Sequence, residues 1–305
     1  MKLGMVGLGK MGANMTTRLL RGGHDVVTYD IDAAAVARAE AEGAISAKSL
    51  QDLVAQLDPP RPVWIMVPAG EITAVTIAEL ALLLDEGDIV VDGGNSRYSD
   101  SVARAAALAE SGIKLLDAGT SGGLWGLEEG FCLMVGGDAA AYAEVEPAFE
   151  TLAPPEGCAH VGPSGAGHFV KMVHNGVEYA LMQAYAEGFE LMRSGDFGID
   201  VGRIAELWRH GSVVRSWLLD LAAGALARDP ELEGVASYVE DSGEGRWTVE
   251  TAIENAIPTP TIALSLMARF ASRQDDPFAA KMLSALRREF GGHGVRSAGG
   301  EDPSP

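Results

Sequence analysis

Apolar residues in the first half of the chain occur in short runs that alternate with longer segments of helical spacing. The runs are typical of buried strands: KLGMVGLG (2–9), DVVTYD (25–30), VWIMV (63–67), DIVVDGG (88–94), IKLLDAG (113–119) and CLMVGG (132–137). Segments between them, such as MGANMTTRLLRGG, space their apolar residues as an amphipathic helix does. Strands that alternate with helices predict a mostly parallel, doubly wound α/β sheet.

This pattern ends in a Pro- and Gly-rich passage, APPEGCAHVGPSGAG (153–167), beyond which strand signals nearly vanish. The segment 168–195 is predicted to form one long helix, followed by shorter helices to about Phe290. We therefore predict a doubly wound α/β domain followed by an all-α domain. The expected ranges are 1–162 for the first domain, 163–296 for the second and 297–305 for a disordered tail.

Charge narrows the possible partners. A formal net charge of -20 excludes nucleic acid as an expected partner, because phosphate backbones need a basic surface. No apolar run is long enough to span a bilayer, so no membrane partner is expected. The two cysteines form no CxxC motif, which disfavours a disulfide framework or a structural metal site. We expect a cytoplasmic protein, in which any anionic substrate would need local cations.

The strongest local motif is GLGKMG, which follows the first strand and opens a helix. In a dinucleotide site Gly7 would make the turn, Gly9 would admit the pyrophosphate, and Gly12 would let helix and strand pack closely. Lys10 and Met11 lie inside the same loop and are expected to contact the cofactor. The alternative is a glycine turn with a purely structural role.

The second strand ends at Asp30, eighteen residues after Gly12. A carboxylate here can accept hydrogen bonds from ribose hydroxyls and repels a 2′-phosphate, which favours NAD over NADP. The alternative is that Asp30 only caps the next helix, although Asp32 is better placed for that. Later strand ends place Val67, Pro68 and Asn95 among the expected cofactor contacts.

The segment VKMVHNGVEY (170–179) carries a polar stripe on an otherwise apolar helix. At about 100° per residue, the stripe falls within an arc of about 100°. Its members are Lys171, His174, Asn175 and Glu178, and Tyr179 borders the arc. The alternative is a solvated face, but Gly176 in the helix interior and the apolar character of the remaining residues favour a site.

Such a stripe suits acid–base chemistry. Burial favours the neutral form of a lysine, which can then accept a proton from a hydroxyl group. A glutamate about 10 Å further along the helix could donate a proton to another atom of the same ligand. The loops DGGNS (92–96) and GTSGGLWG (119–126) would complete the site, although each alone also fits an ordinary turn.

Together, GLGKMGANM, DGGNSRYSDS, TSGG, GHFVKMVHNGVEY, SGEGRWT and REFGGH resemble the decarboxylating 6-phosphogluconate dehydrogenase family in its short bacterial form. The resemblance covers residues 1 to about 296 and implies a sugar-acid phosphate as substrate. It also implies that Lys171 is the base and Glu178 the acid in an oxidative decarboxylation that needs no metal. The implied substrate contacts are Asn95, Ser121, Gly122, Gly123, His174, Asn175 and Tyr179.

The family also takes phosphate contacts from the partner subunit's tail, which here implies Arg287, His293 and a homodimer or a dimer-based higher oligomer. A cation at the C-terminus of a helix is an equally good explanation of Arg287. Long-form members have KGTGKW where this chain has SGEGRW, so Ser242 and Glu244 replace residues of the expected phosphate site. This departure leaves open whether the substrate must carry a phosphate.

Three other functions remain open at this point. One is a related β-hydroxyacid dehydrogenase that acts on an unphosphorylated 3-hydroxy acid, and a second is a gluconate dehydrogenase. The third is a non-catalytic NAD-binding sensor or assembly protein on the same fold. A paired Lys171 and Glu178 favour an enzyme over a sensor, because a sensor needs neither a base nor an acid.

Overall fold

A computed structural model describes residues 1–292 and 294–295 of the chain. The chain divides into two compact units, Met1–Gly176 and a second that begins at Val177. The strands are β1 (Lys2–Val6), β2 (Asp25–Tyr29), β3 (Ile45–Ser46), β4 (Pro62–Ile65), β5 (Ile89–Asp92), β6 (Lys114–Ser121), β7 (Cys132–Gly137) and β8 (Cys158–Gly162).

Helices connect the strands in the first unit and account for the regular structure of the second. They are α1 (Lys10–Arg21), α2 (Ala33–Ala41), α3 (Leu50–Ala55), α4 (Glu71–Ala81), α5 (Tyr98–Ala109), α6 (Gly126–Glu129), α7 (Ala139–Leu152), α8 (Ala166–Ser194), α9 (Val201–Trp208), α10 (Trp217–Arg228), α11 (Glu244–Glu254), α12 (Pro260–Ala271) and α13 (Phe278–Gly291). Helix α8 begins in the first unit and ends in the second.

The eight strands form one sheet in the order β3-β2-β1-β4-β5-β6-β7-β8, parallel throughout except for the antiparallel β6–β7 pair. Both faces are covered by helices, which is why β4 and β5 are buried along their whole lengths. The predicted fold class is confirmed. The domain ranges predicted from sequence stay a prediction.

Two strands were missed by the sequence analysis. Strand β3 has only two residues, too few to show any periodicity. Strand β8 lies inside the Pro- and Gly-rich passage 153–167, in which no strand was predicted. It is a partly exposed edge strand, so it lacks the apolar run that identifies a buried strand.

The start of helix α8 rests directly on the backbone of β6 and β7. The buried Asp117 carboxylate accepts hydrogen bonds from the backbone N–H groups of Gly165, at 2.7 Å, and His168, at 2.9 Å. Burial raises the pKa of Asp117, and the nearby His168 and these N–H donors oppose that shift. Gly167 lies so close that a Cβ there would be 2.1 Å from the Asp117 carbonyl oxygen.

We expect Gly167→Ala to lower the free energy of unfolding by about 1–3 kcal/mol, because the new methyl group would displace α8 from the sheet. The matched control is Gly188→Ala on the same helix, where an added Cβ meets nothing within 4 Å. There the higher helix propensity of alanine should stabilise by up to about 1 kcal/mol. Urea denaturation measures both, and equal effects at the two positions would contradict the close seating of α8.

Candidate active site

The glycine loop has the geometry that a dinucleotide pyrophosphate requires. Gly7 adopts φ +94°, which favours glycine, and makes the turn after β1. A Cβ at Gly12 would lie 2.0 Å from the Gly7 carbonyl oxygen, so helix and strand could not otherwise pack this closely. Gly9 precedes α1 and has no neighbour within 4 Å of an added Cβ, which leaves space beside the helix N-terminus. These residues fit NAD.

Asp30 supports this loop as well as marking the end of β2. Its carboxylate accepts hydrogen bonds from the backbone N–H groups of Leu8, in the glycine loop, and of Asp32. Asp32 caps α2 by accepting from the Ala34 N–H, as the sequence analysis expected. Each carboxylate oxygen of Asp30 keeps a second lone pair with which it could accept from a ribose hydroxyl. Its predicted contact with ribose stays a prediction.

Two further loops lie at the same edge of the sheet, at the carboxyl ends of β4 and β5. The first contains Val67 and Pro68, and the Thr73 hydroxyl donates to the Pro68 carbonyl at 2.9 Å. The second contains Gly94 and Asn95, and a Cβ at Gly94 would lie 3.2 Å from the Val67 carbonyl oxygen. The predicted cofactor residues of both loops are therefore neighbours.

Two of the four residues of the polar stripe of α8 are buried and the other two are half-buried, whereas part of the apolar side is exposed. Lys171 and Asn175 are each only 9% exposed, whereas Val177 and Leu181 are 46% and 44% exposed. The apolar character of the remaining residues therefore does not mean that they are all buried. A Cβ at Gly119 would lie 2.4 Å from the Lys171 Cβ, so the lysine stem packs on the backbone of β6.

The Ser-Gly-Gly loop meets the stripe through His174. The Ser121 hydroxyl lies 3.3 Å from His174 Nε2, and His174 Nδ1 lies 2.9 Å from Asn175 Oδ1. Gly122 and Gly123 follow with φ of +133° and +52°, which few other residues adopt. Ser121, His174 and Asn175 thus form one continuous polar chain, and the last two lie on the helix that carries Lys171.

In the second unit, Tyr179 contacts Ser242 and one cation, Arg269, which the sequence did not identify as a site residue. The Tyr179 hydroxyl lies 3.3 Å from Ser242 Oγ and accepts from the Ser242 backbone N–H at 3.1 Å. The guanidinium carbon of Arg269 lies 3.6 Å from the centre of the Tyr179 ring. Arg269 comes from α12, and nothing in its local sequence pattern marks it as a site residue.

The substituted SGEGRW segment is held by a buried carboxylate. Asp241 binds Arg246, which lowers the pKa of Asp241, and it also binds Arg273 at 2.5 Å. Both oxygens of Asp241 accept from Arg246, so this arginine already has a carboxylate partner. Glu244 is buried as the first residue of α11, where the helix dipole favours a carboxylate.

Arg287 lies in α13, and His293 lies outside the described residues, as does the predicted tail 297–305. Within the described part of the chain, no group of three or more His, Cys, Asp or Glu is placed to hold a metal ion. No helix in residues 1–292 combines the length and apolar character that crossing a membrane requires.

The fold and the glycine loop define a dinucleotide-binding oxidoreductase domain joined to a helical domain. Residues 2–162 match the model of the NAD binding domain of 6-phosphogluconate dehydrogenase, and residues 167–286 match that of the 6-phosphogluconate dehydrogenase C-terminal domain. The chain belongs to the 6-phosphogluconate dehydrogenase family.

The relatives differ in length. The NAD(+)-dependent, decarboxylating 6-phosphogluconate dehydrogenase of Haloferax volcanii is 48% identical, over 97% of this chain and 98% of the relative. The decarboxylating enzyme of Lactococcus lactis is 37% identical over 95% of this chain but only 65% of its own length. The chain thus matches one relative over nearly the whole length of both and the other over about two thirds of the relative's length.

Among solved structures, Plasmodium falciparum 6-phosphogluconate dehydrogenase aligns with a TM-score of 0.83 at 27% identity, over 99% of this chain and 67% of that one. Mycobacterium tuberculosis 3-hydroxyisobutyrate dehydrogenase aligns with a TM-score of 0.73 at 24% identity, over 92% and 94% of the two chains. The second likeness shows the fold alone.

We expect Asp30→Asn to raise the affinity for NADP relative to NAD by about tenfold, because it removes the charge that repels a 2′-phosphate and keeps one acceptor for the loop. Asp32→Ala, which removes the cap of α2, is the control and should leave the ratio unchanged. Dissociation constants for both cofactors measure the effect. An unchanged ratio in Asp30→Asn would show that Asp30 does not contact the ribose.

Proposed function

We propose that this protein is an NAD-dependent enzyme that oxidises and decarboxylates 6-phosphogluconate to ribulose 5-phosphate and carbon dioxide. The observation that carries the proposal is the burial of Lys171 against Gly119 on the backbone of β6, in a chain 48% identical to a relative that bears this activity in its name. A lysine excluded from water in this way is suited to act as a base.

In the first step Lys171 accepts the proton of the C3 hydroxyl through Nζ while the hydrogen on C3 leaves as hydride. Bound NAD supplies the hydride acceptor. Close packing of the lysine stem on Gly119 restricts the positions that Nζ can reach. The substrate becomes a β-keto acid, and Lys171 now carries the proton.

In the second step the bond between C1 and C2 breaks and C1 leaves as carbon dioxide. The electron pair of that bond moves toward the C3 oxygen, and the protonated Lys171 stabilises the enolate that forms. Glu178 then gives a proton to the former C2, which becomes C1 of ribulose 5-phosphate. No metal is required in this scheme, because the β-keto group itself accepts the electron pair.

Two groups of residues would position the substrate. Ser121 and the backbone N–H groups of Gly122 and Gly123 are proposed to bind the carboxylate, in keeping with their open, positive-φ loop. Asn95, His174 and Asn175 are proposed to bind the sugar hydroxyls, and the polar chain from Ser121 to Asn175 supports this role.

The phosphate would be bound by Tyr179 and Arg269. The stacking of Arg269 on the Tyr179 ring keeps a cation next to the phenol hydroxyl, which can supply a hydrogen bond. Ser242 contacts the same hydroxyl and takes the place of the lysine found in long-form members. Arg269 is thus a second source of positive charge in a chain that departs from the long-form motif.

A homodimer is part of the proposal. In α13 no residue is buried, and its apolar residues Phe278, Leu283 and Leu286 are exposed. An exposed apolar helix face of this kind is typical of a surface covered by another subunit. A cytoplasmic location is also proposed, in keeping with two free cysteines, Cys132 and Cys158.

Initial rates of nicotinamide reduction with 6-phosphogluconate and gluconate, each with NAD and NADP, test the proposal while released carbon dioxide is trapped. We expect turnover of 6-phosphogluconate with NAD and one carbon dioxide per NADH. NADH formation without release of carbon dioxide would favour a non-decarboxylating β-hydroxyacid dehydrogenase. Activity on gluconate alone would show that the proposed phosphate site does not bind the substrate. Binding of NAD with no turnover of any acid would favour a sensor.

Lys171→Met should lower kcat by about 10²- to 10⁴-fold, because methionine keeps an apolar stem against Gly119 but cannot accept a proton. The dissociation constant for NAD should stay within about twofold, since the glycine loop is untouched. Stopped-flow measurement of NADH formation separates these effects. Hydride transfer at the wild-type rate would exclude Lys171 as the base.

Arg287→Ala should raise KM for 6-phosphogluconate by about tenfold and leave KM for NAD unchanged, if it binds phosphate in a neighbouring subunit. Its matched control is Arg288→Ala, since Arg288 pairs with its own neighbour Glu289 on the surface. A loss of stability without a change in KM would instead show that Arg287 stabilises the C-terminus of α13 through the helix dipole.

Mixing the two variant dimers gives an independent test. A mixed dimer of Lys171→Met and Arg287→Ala subunits contains one site with both residues intact, so after subunit exchange part of the activity should show the wild-type KM for 6-phosphogluconate. If the mixture keeps only the raised KM of Arg287→Ala although exchange is complete, Arg287 does not act across subunits.

A further inference from the structure

We propose that Arg104 is a positioning residue that joins the loop after β4 to the loop after β5, and so fixes Asn95 relative to the cofactor loop. Arg104 lies on α5 and is outside every group of residues assigned a role above. The inference rests on the proposed function, because it assumes that Asn95 contacts both cofactor and substrate. Arg104 itself is not proposed to contact either molecule.

The loop that carries Asn95 is built around the carboxylate of Asp92. Asp92 is the last residue of β5 and is completely buried. Its Oδ1 accepts from the Gly94 backbone N–H at 3.1 Å, and its Oδ2 accepts from the Ser96 hydroxyl at 2.8 Å. The residues on either side of Asn95 are therefore tied to a single carboxylate.

Arg104 extends this arrangement to the second loop. Its Nη1 donates to Asp92 Oδ2 and to Ser96 Oγ, both at 3.2 Å, and its Nη2 donates to the Gly70 carbonyl at 3.3 Å. Gly70 precedes α4 and closes the loop that contains Val67 and Pro68. One guanidinium thus bonds to both loops at the carboxyl edge of the sheet.

An arginine is needed here because its planar fork presents several N–H donors in fixed directions. A lysine would keep the charge next to Asp92, but its single ammonium group could not reach three acceptors in the same geometry. The arginine side chain is only 13% exposed, so water cannot readily replace the lost hydrogen bonds. Arg104→Lys therefore keeps the positive charge next to Asp92 but removes the bridge between the two loops.

The chain contains a matched control at the N-terminal ends of the same two strands, β4 and β5. Arg61 precedes β4 and pairs with the buried Asp88, which precedes β5, at 2.8 Å. Its side chain is 18% exposed, close to the value for Arg104. Arg61→Lys therefore tests the general cost of weakening such a pair, far from the glycine loop and from Asn95.

The experiment compares wild type, Arg104→Lys, Arg104→Met and Arg61→Lys as full-length proteins. It measures Tm, the dissociation constant for NAD, and kcat and KM for 6-phosphogluconate. Amide hydrogen exchange is followed in peptides that cover residues 66–71 and 93–97. Arg104→Met leaves the buried Asp92 carboxylate without its cation and tests how far the pair supports the fold.

We expect Arg104→Lys to match Arg61→Lys in Tm but to lower kcat by about 10- to 100-fold, with KM changed by less than about threefold. Exchange should accelerate in both loop peptides of Arg104→Lys and in neither peptide of Arg61→Lys. The proposal is overturned if Arg104→Lys keeps the wild-type kcat and exchange, or if Arg61→Lys loses as much activity.

These readouts separate the inference from the function on which it rests. If the wild-type protein does not turn over 6-phosphogluconate, the proposed function fails. Exchange in the two loops and affinity for NAD need no substrate, so they still decide whether Arg104 joins the loops.

Discussion

The position of helix α8 on the bare backbone of β6 and β7 is the constraint on which the candidate site depends. Side chains are absent at the closest contacts, because Gly119, Gly136 and Gly167 each lie where a Cβ would collide with the opposing segment. Asp117 satisfies N–H groups at the start of the helix from inside the sheet. This seating places Lys171 against the sheet, where solvent cannot keep it fully hydrated.

Buried carboxylates recur wherever the first unit must hold a loop or a helix end in place. Asp117 holds α8, Asp92 holds the loop around Asn95, and Asp88 holds the start of β4 through Arg61. Each accepts backbone N–H donors, which offset the cost of removing the carboxylate from water. Some of the carboxylates of this acidic chain are therefore buried and stabilise the fold. Anions are attracted locally by Arg269 and by the N-terminus of α1.

The sequence was informative where one side chain or one spacing decides the structure. The glycine loop, the order of strands and helices, and the polar stripe of α8 all follow from local periodicity and from residues with special backbone freedom. The stripe was predicted to be a site, and Lys171 and Asn175 are buried. The exposure of Val177 and Leu181 was not foreseen, because periodicity does not tell which side of a helix faces inward.

What sequence reasoning missed depends on contacts between distant segments. Arg269 reaches Tyr179 across ninety positions of the chain, and Arg104 joins loops that only the sheet order brings together. One signal was available: Asp117 and Asp92 are charged residues in otherwise apolar strands, and a buried strand rarely carries a carboxylate without a partner. Strand β8 had no such signal, because an exposed edge strand needs neither an apolar run nor alternation.

The most direct measurement is a crystal structure of the protein with NAD and 6-phosphogluconate bound. We predict that Lys171 Nζ lies within about 3 Å of the C3 oxygen while its stem remains packed on Gly119. If a different group lies within about 3 Å of the C3 oxygen and Lys171 Nζ points away from C3, Lys171 is not the base. The packing of α8 on the sheet would then stabilise the fold without positioning a base.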